Sequence, residues 1–126
     1  MFIRRSITDV LMRRAKNSRC LLLTGPRQVG KSTLLKHNYP GVKYYTFDDQ
    51  VLLASATEDP KLFLKNIPKP SILDEVQYAK DLFPYIKIEC DKDERYENYY
   101  LTGSQQMKLM AKAKESLAGR VSILEL

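Results

Sequence analysis

Apolar runs alternate with segments of helical spacing along the chain, and this alternation predicts its secondary structure. Five short apolar segments bounded by Gly, Pro, Asn or Asp are typical of buried strands: residues 19–24, 43–47, 70–74, 98–102 and 120–126. Segments with apolar residues at helical spacing lie between them and predict helices over residues 31–37, 49–56, 59–66, 79–92 and 104–117. Strands that alternate with helices predict an α/β fold with a parallel sheet.

A further amphipathic helix is predicted at the N-terminus, where Phe2, Ile3, Ile7, Val10 and Leu11 recur at helical spacing. The first 19 residues carry one acid, Asp9, and six bases: Arg4, Arg5, Arg13, Arg14, Lys16 and Arg19. Such a face is typical either of contact with nucleic acid, phosphate or an acidic lipid surface, or of a solvated helix on a packed core. The solvated face is the commoner case.

Composition indicates one globular domain. The chain has 126 residues, 44% of them hydrophobic and 29% charged, with a net charge of +6. Its longest apolar run, residues 20–23, is far shorter than the roughly 18 residues of a membrane span, and no signal peptide is evident. We therefore predict a cytoplasmic protein without a membrane contact. Cys20, Cys90 and the single His37 have no zinc-site or redox-motif spacing.

Residues 25–32 match the P-loop pattern G-x-x-x-x-G-K-[ST], or Walker A motif, between a predicted strand and a predicted helix. Gly25 and Gly30 let the backbone amides curl around phosphates, Lys31 reaches the β and γ phosphates, and the Ser32 hydroxyl ligates Mg²⁺. The predicted nucleotide-binding residues are Gly25, Pro26, Arg27, Gln28, Val29, Gly30, Lys31, Ser32 and Thr33.

Two acids end the third predicted strand, Asp74 and Glu75. Ligands of open α/β sheets bind at the carboxyl ends of the strands. Asp74 is therefore the candidate Walker B ligand of Mg²⁺, and Glu75 the candidate general base for the attacking water. One strand lies between the P-loop and this pair, an arrangement typical of hydrolytic P-loop ATPases. It predicts a three-layer α/β/α P-loop NTPase fold with strand order 5-1-4-3-2.

Other polar positions support less specific hypotheses. Thr102 or Ser104, at the end of the fourth strand, is a candidate sensor of the attacking water or the γ-phosphate, and a turn that caps the next helix is the alternative. Arg120 is a candidate arginine finger for a neighbouring subunit's nucleotide, and a helix C-terminal cap is its alternative. For Asp48 and Asp49 we favour helix capping over a metal role. The tyrosines are interpreted as core and edge residues.

Together these motifs resemble the predicted AAA+-type ATPases of bacteria and archaea, over nearly the whole chain. The resemblance lies in residues 23–33, 73–77, 101–104 and 115–120. It implies ATP binding and Mg²⁺-dependent hydrolysis that involve Gly30, Lys31, Ser32, Asp74 and Glu75. In this family an N-terminal ATPase domain precedes a C-terminal domain, and the chain ends within the pattern of its last strand. Residues 1–126 are therefore interpreted as one AAA+-like ATPase core from a longer protein.

Three functions follow as hypotheses. The first is an ATPase that needs a lid or a neighbouring subunit for turnover, with a homo-oligomer through Arg120 as the form that would supply the neighbour. The second is a binding module controlled by the nucleotide, with DNA on the basic N-terminal helix as one partner and little or no hydrolysis. The third is a small-molecule kinase, which would require an acceptor pocket that so short a chain does not suggest.

Overall fold

A computed structural model describes residues 5–26, 30–92 and 95–126. Its centre is a five-stranded parallel sheet of β1 (Cys20–Thr24), β2 (Lys43–Thr46), β3 (Ser71–Asp74), β4 (Tyr99–Gly103) and β5 (Val121–Glu125). The strand order is β2-β3-β4-β1-β5. This confirms the predicted order 5-1-4-3-2, read from the other edge of the sheet.

Within the described ranges, six α-helices cover the two faces of the sheet. They are α1 (Arg5–Lys16), α2 (Lys31–Asn38), α3 (Gln50–Glu58), α4 (Pro60–Lys65), α5 (Phe83–Lys92) and α6 (Met107–Ser116). α1 and α2 pack on one face, against Leu21, Leu23 and Ile72. α3 to α6 pack on the other, against Leu22 and Leu101. The α/β/α layering is therefore as predicted.

Helix starts follow the capping chemistry of the sequence. The Asp49 carboxylate accepts the backbone N–H groups of Val51 and Leu52, so it caps α3 as expected. Asp59 caps α4, which begins with Pro60. The predicted helix 79–92 is replaced by a 3₁₀ segment, Val76–Leu82, followed by α5, because the backbone leaves helical geometry at Ala79. The helix predicted from residue 104 begins at Met107.

α1 is the amphipathic helix that the N-terminal pattern predicts. Leu11 and Ala15 are buried against the sheet, while Arg13 and Lys16 are exposed. Arg14 donates a hydrogen bond to the Ile123 carbonyl at 2.8 Å, so one of its bases holds α1 on the edge strand. Phe2, Ile3 and Arg4 lie outside the described residues. Of the helices in the described ranges, none combines the length and apolar character that a membrane crossing needs.

Tyr39 and Tyr100 stack on the α2 side of the sheet, with ring centroids 4.1 Å apart. Burial raises the pKa of Tyr39 to about 12, and burial likewise raises the pKa of Tyr100, whose hydroxyl donates to Glu97. A pKa that folding raises gives stability that is complete below the unfolded value and is lost as pH rises through the folded one.

We therefore expect the free energy of unfolding to decline between about pH 10 and pH 12, from the ordinary pKa of tyrosine to that of folded Tyr39. Tyr39→Phe should make this decline shallower, whereas Tyr96→Phe, at an exposed position, should not. Urea unfolding at pH 8, 10 and 11 measures the difference. Equal declines in all three proteins would contradict the account of this pair.

Candidate functional site

The carboxyl ends of β1, β3 and β4 meet at one edge of the sheet. Thr24 and Gly103 are register partners there, and the Gly25 N–H donates to the Gly103 carbonyl at 3.3 Å. The glycine loop leaves this edge directly after β1, and the acidic pair Asp74 and Glu75 follows β3. The fold thus brings together the two motifs that the sequence separates by more than forty residues.

Lys31 lies across the base of the loop. Its ammonium group donates to the Gly25 and Pro26 carbonyls, at 2.9 Å each, and the residue is 4% exposed. Gly30, before the first turn of α2, has a φ of 81°, a left-handed conformation that glycine adopts without strain. A lysine held against its own loop is positioned beside any phosphate that the loop amides bind.

The structure describes only some of the other predicted nucleotide-binding residues. Ser32, half-buried, and Thr33, exposed, lie in the first turn of α2. Arg27, Gln28 and Val29 lie outside the described residues, so their predicted contacts stay predictions.

Asp74 is held by hydroxyl groups from two neighbouring strands. Its Oδ1 accepts a hydrogen bond from Thr102 Oγ1 at 2.6 Å, and its Oδ2 accepts one from the Tyr44 hydroxyl at 2.7 Å. The Thr102 hydroxyl in turn accepts the backbone N–H of Glu75 at 3.0 Å. Thr102, predicted as a sensor, is therefore a direct support of both acids.

Tyr44 is a site residue that the sequence did not reveal, because it was interpreted as a core or edge position like the other tyrosines. The Lys36 ammonium lies 3.7 Å from the centre of its ring. Burial raises the pKa of Tyr44 to about 12, with the Asp74 hydrogen bond as the next cause. At neutral pH the hydroxyl is therefore protonated and donates a hydrogen bond to Asp74. No feature of the local sequence distinguishes this tyrosine from Tyr45 beside it.

Glu75 has a left-handed backbone, with a φ of 63°, which is rare for a side chain of this size. Its Oε1 accepts from Gln77 Nε2 at 2.6 Å, and Gln77 Oε1 accepts the Ser104 backbone N–H at 3.2 Å. Gln77 is the second site residue missed, although it belongs to the motif 73–77. Ser104 Oγ is buried and has no hydrogen-bond partner among the described residues.

Carboxylates from two strand ends come close together here. Ligand atoms of Asp48, Asp74 and Glu75 lie within 4.8 Å of one another. Oxygen donors of this kind suit Mg²⁺. Ser32, in the first turn of α2, and the unpartnered Ser104 Oγ, directly after β4, offer further hydroxyl oxygens at the same edge of the sheet. The residues present therefore fit a magnesium site. Of the two acids after β2, Asp49 caps a helix and Asp48 joins this cluster.

Arg120 is not brought to this edge. It precedes β5 at the amino edge of the sheet, where its carbonyl accepts the N–H of Cys20. Its guanidinium donates to both carboxylate oxygens of Asp91, at 3.0 Å each, and these hydrogen bonds hold the pKa of Asp91 below its ordinary value. Arg120 cannot serve the nucleotide of its own chain from there, and a role at a neighbouring subunit's nucleotide stays a prediction.

A family model described as an AAA domain matches residues 17–126. The chain belongs to this AAA domain family. Membership supports nucleotide binding at the P-loop, because it covers the loop, the acidic pair and all five strands.

Relatives of this AAA domain are longer proteins. An uncharacterized protein of Mycobacterium tuberculosis and one of Mycobacterium bovis are each 36% identical to it over 128 aligned positions. The alignments take in 100% of this chain and 29% of each relative, so the chain spans less than a third of their length.

Solved structures share the fold of this AAA domain. A DNA replication initiation factor superposes with a TM-score of 0.53 and 16% identity, over 96% of this chain and 44% of that one. A signal transduction ATPase with numerous domains, from Pyrococcus horikoshii, superposes with a TM-score of 0.56 and 13% identity, over 99% of this chain and 23% of that one. At these identities the likeness concerns the fold.

Gly103 of the AAA domain lies in a closely packed position near the site. A Cβ there would lie 2.5 Å from Leu109 Cδ2 and 3.5 Å from Gln77 Oε1. We expect Gly103→Ala to lower the free energy of unfolding by about 1–3 kcal/mol, the usual cost of overpacking. Gly41→Ala is the matched control, since a Cβ there meets nothing within 4 Å. Urea unfolding compares the two, and equal stabilities would contradict close packing of β4 on α6.

Proposed function

We propose that this AAA domain binds ATP at the carboxyl edge of β1, β3 and β4 and hydrolyses it with Mg²⁺, as part of a longer protein. One observation carries the proposal. The Lys36 ammonium of α2, the helix that begins at the P-loop lysine, lies 3.7 Å from the centre of the Tyr44 ring, and the Tyr44 hydroxyl donates to Asp74 of the acidic pair. The helix that follows the loop and the strand that carries the acids are therefore close enough to act on one ligand.

Phosphate binding is assigned to the loop amides, Lys31 and the first turn of α2. The Lys31 ammonium exchanges its hydrogen bonds to the Gly25 and Pro26 carbonyls for phosphate oxygens. The positive end of the α2 dipole favours the same anion. Ser32 and Asp74 are the residues that would hold Mg²⁺, which when bound supplies charge to neutralise the β and γ phosphates.

Hydrolysis is assigned to Glu75 as the general base, which takes a proton from the attacking water. Thr102 fixes its backbone and Gln77 orients its carboxylate. The sensor role, a hydrogen bond to the water or to the γ-phosphate, is assigned to Ser104, whose buried Oγ has no hydrogen-bond partner among the described residues. Each of these roles belongs to a side chain at the same edge of the sheet.

The test is phosphate release from ATP by the longer protein that contains this domain. We expect release with Mg²⁺, none with EDTA in its place, and binding of labelled ADP by residues 1–126 alone. Phosphate release that is equal with EDTA would contradict the assigned metal, and an absence of nucleotide binding in both proteins would contradict the proposal itself.

A second candidate is the binding module that nucleotide controls, with little or no turnover. It is favoured by the 2.6 Å hydrogen bond in which Gln77 engages the carboxylate that would otherwise activate water. Under this candidate, Glu75→Gln leaves every activity of the longer protein intact. Under the first candidate, activities that depend on turnover are lost.

The DNA interaction expected of such a module would lie on α1, through the exposed Arg13 and Lys16. The structural neighbour named as a DNA replication initiation factor has the same fold. If duplex DNA binds here, its affinity falls steeply between 50 and 200 mM salt, in the manner of phosphate contacts, at roughly one unit of log–log slope per contact. Arg13→Ala together with Lys16→Ala should then weaken binding, and unchanged affinity would reject this surface.

A further inference from the structure

We propose that Tyr44 is a positioning residue that preforms the divalent-cation site between Ser32 and Asp74; this inference rests on the proposed function. Tyr44 lies on β2, outside both motifs that the sequence analysis identified. Its side chain nevertheless joins the two: the hydroxyl donates to Asp74 through a 2.7 Å hydrogen bond, and the ring contacts Lys36 of α2, the helix whose first turn carries Ser32.

The ring of Tyr44 is fixed by its surroundings. β2 pairs with β3 so that Tyr44 lies opposite Ile72, and the side chain extends along the sheet towards Asp74, two residues further on. The Lys36 ammonium of α2 covers the ring face at 3.7 Å. Contacts with α2 and with β3 leave the hydroxyl little freedom of position.

This arrangement determines how Asp74 presents its carboxylate. Oδ1 accepts from Thr102 on β4 and Oδ2 accepts from Tyr44 on β2, so donors on both neighbouring strands fix the rotation of the group. Each carboxylate oxygen accepts more than one hydrogen bond or ligand, so both oxygens keep capacity for a cation or its bound water. The hydroxyl therefore orients the Asp74 carboxylate and leaves both of its oxygens able to bind a cation.

Loss of the hydroxyl should weaken the metal site more than the phosphate site. Partners that orient a metal ligand typically contribute 10- to 100-fold in metal affinity. Lys31, which the proposal assigns to the phosphates, donates its hydrogen bonds to the Gly25 and Pro26 carbonyls and does not need Tyr44 to make them. The two sites can therefore be separated by measuring nucleotide binding with and without Mg²⁺.

The experiment is fluorescence titration of ADP labelled on its ribose, first in EDTA and then at fixed nucleotide with increasing Mg²⁺. Tyr44→Phe should raise the Mg²⁺ concentration for half-maximal effect by about 10-fold, and leave the ADP affinity in EDTA within about twofold. Tyr45→Phe is the matched control. It removes the same atom from the next residue, whose ring packs on Phe63 on the opposite face, and should change neither quantity.

A second variant keeps the test decisive if Tyr44→Phe does not fold. Lys36→Met, at an exposed position, removes the cation over the ring and leaves the hydroxyl in place. Lys36→Met should also raise the Mg²⁺ concentration for half-maximal effect, by less than the roughly 10-fold expected of Tyr44→Phe. An unchanged concentration would then overturn the proposal.

Other outcomes overturn it as well. An unchanged Mg²⁺ requirement in folded Tyr44→Phe, or equal losses with and without Mg²⁺, would make Tyr44 a purely structural residue. A lower requirement would mean that its hydroxyl obstructs the cation. If the unsubstituted protein binds no nucleotide, the proposed function fails instead, a result that is visible before any variant is made.

Discussion

Glu75→Gln is expected to lower the rate of ATP hydrolysis by the longer protein about 10²- to 10³-fold, within the range that a general base contributes. The amide keeps the size of the carboxylate and an oxygen that accepts the Gln77 hydrogen bond. It cannot take a proton from water. Among the hydrogen bonds of the described residues, none joins Glu75 to the P-loop lysine. The affinity for ATP should therefore stay within about threefold, a change in binding free energy well below the roughly 1.4 kcal/mol of a tenfold change.

Steady-state phosphate release and labelled-nucleotide binding are the two measurements. Glu58→Gln, at the exposed end of α3, makes the same chemical change away from the site and should retain full activity. Hydrolysis that survives in Glu75→Gln at more than a tenth of the original rate would assign the base to another group, and Asp48 in the same cluster would be examined next.

Lys31→Ala is expected to weaken the binding of ADP and ATP about 100-fold or more. Hydrogen bonds from a charged donor contribute about 1.5–3 kcal/mol each, and 2.8 kcal/mol corresponds to 100-fold in affinity. Without nucleotide, the variant also loses the two hydrogen bonds that hold the Gly25 and Pro26 carbonyls, so a lower unfolding temperature is expected too.

Isothermal titration with ADP separates the two effects, provided that it is run below the unfolding temperature of the variant. Lys114→Ala, at an exposed position of α6, is the control for the loss of one positive charge. If Lys31→Ala is folded and binds ADP as tightly as the unsubstituted protein, the loop is not the phosphate site.

Much of the fold follows from local sequence. The five apolar runs became the five strands, and their order followed from a strand inserted between the glycine loop and the acidic pair. Asp49 and Asp59 capped helices as their chemistry predicts. These features depend on neighbours in the chain, or on a connection rule common to such sheets, and so are visible in sequence.

The missed features depend on contacts between distant residues. The helix expected from residue 104 begins at Met107, and the Ser104 N–H instead donates to Gln77 Oε1, twenty-seven positions away. Arg120 pairs with Asp91 at the amino edge of the sheet. Cys20 and Cys90, set aside for their spacing, interact through their side chains, and this interaction together with burial raises the pKa of Cys20.

The candidate site likewise contains residues that local sequence predicts and residues that it does not. Residues named by a motif, such as Lys31 and Asp74, lie at the expected edge. Tyr44 reached it because its ring extends along β2 to the end of β3, a consequence of strand register that no local pattern encodes.

The most direct test of the central claim is thermal unfolding of residues 1–126 with and without MgADP, MgATP and MgGTP, beside Lys31→Ala. A ligand that binds the folded state alone stabilises it by about 2.7 kcal/mol at 100 times its Kd, which shifts the midpoint of a domain of this size by several degrees. We predict a higher midpoint with the adenine nucleotides, and in Lys31→Ala a shift on adding nucleotide that falls to a small fraction of this, about 0.4 kcal/mol at the same concentration if the affinity is about 100-fold weaker. Midpoints that no nucleotide moves, in this chain and in the longer protein alike, would contradict it.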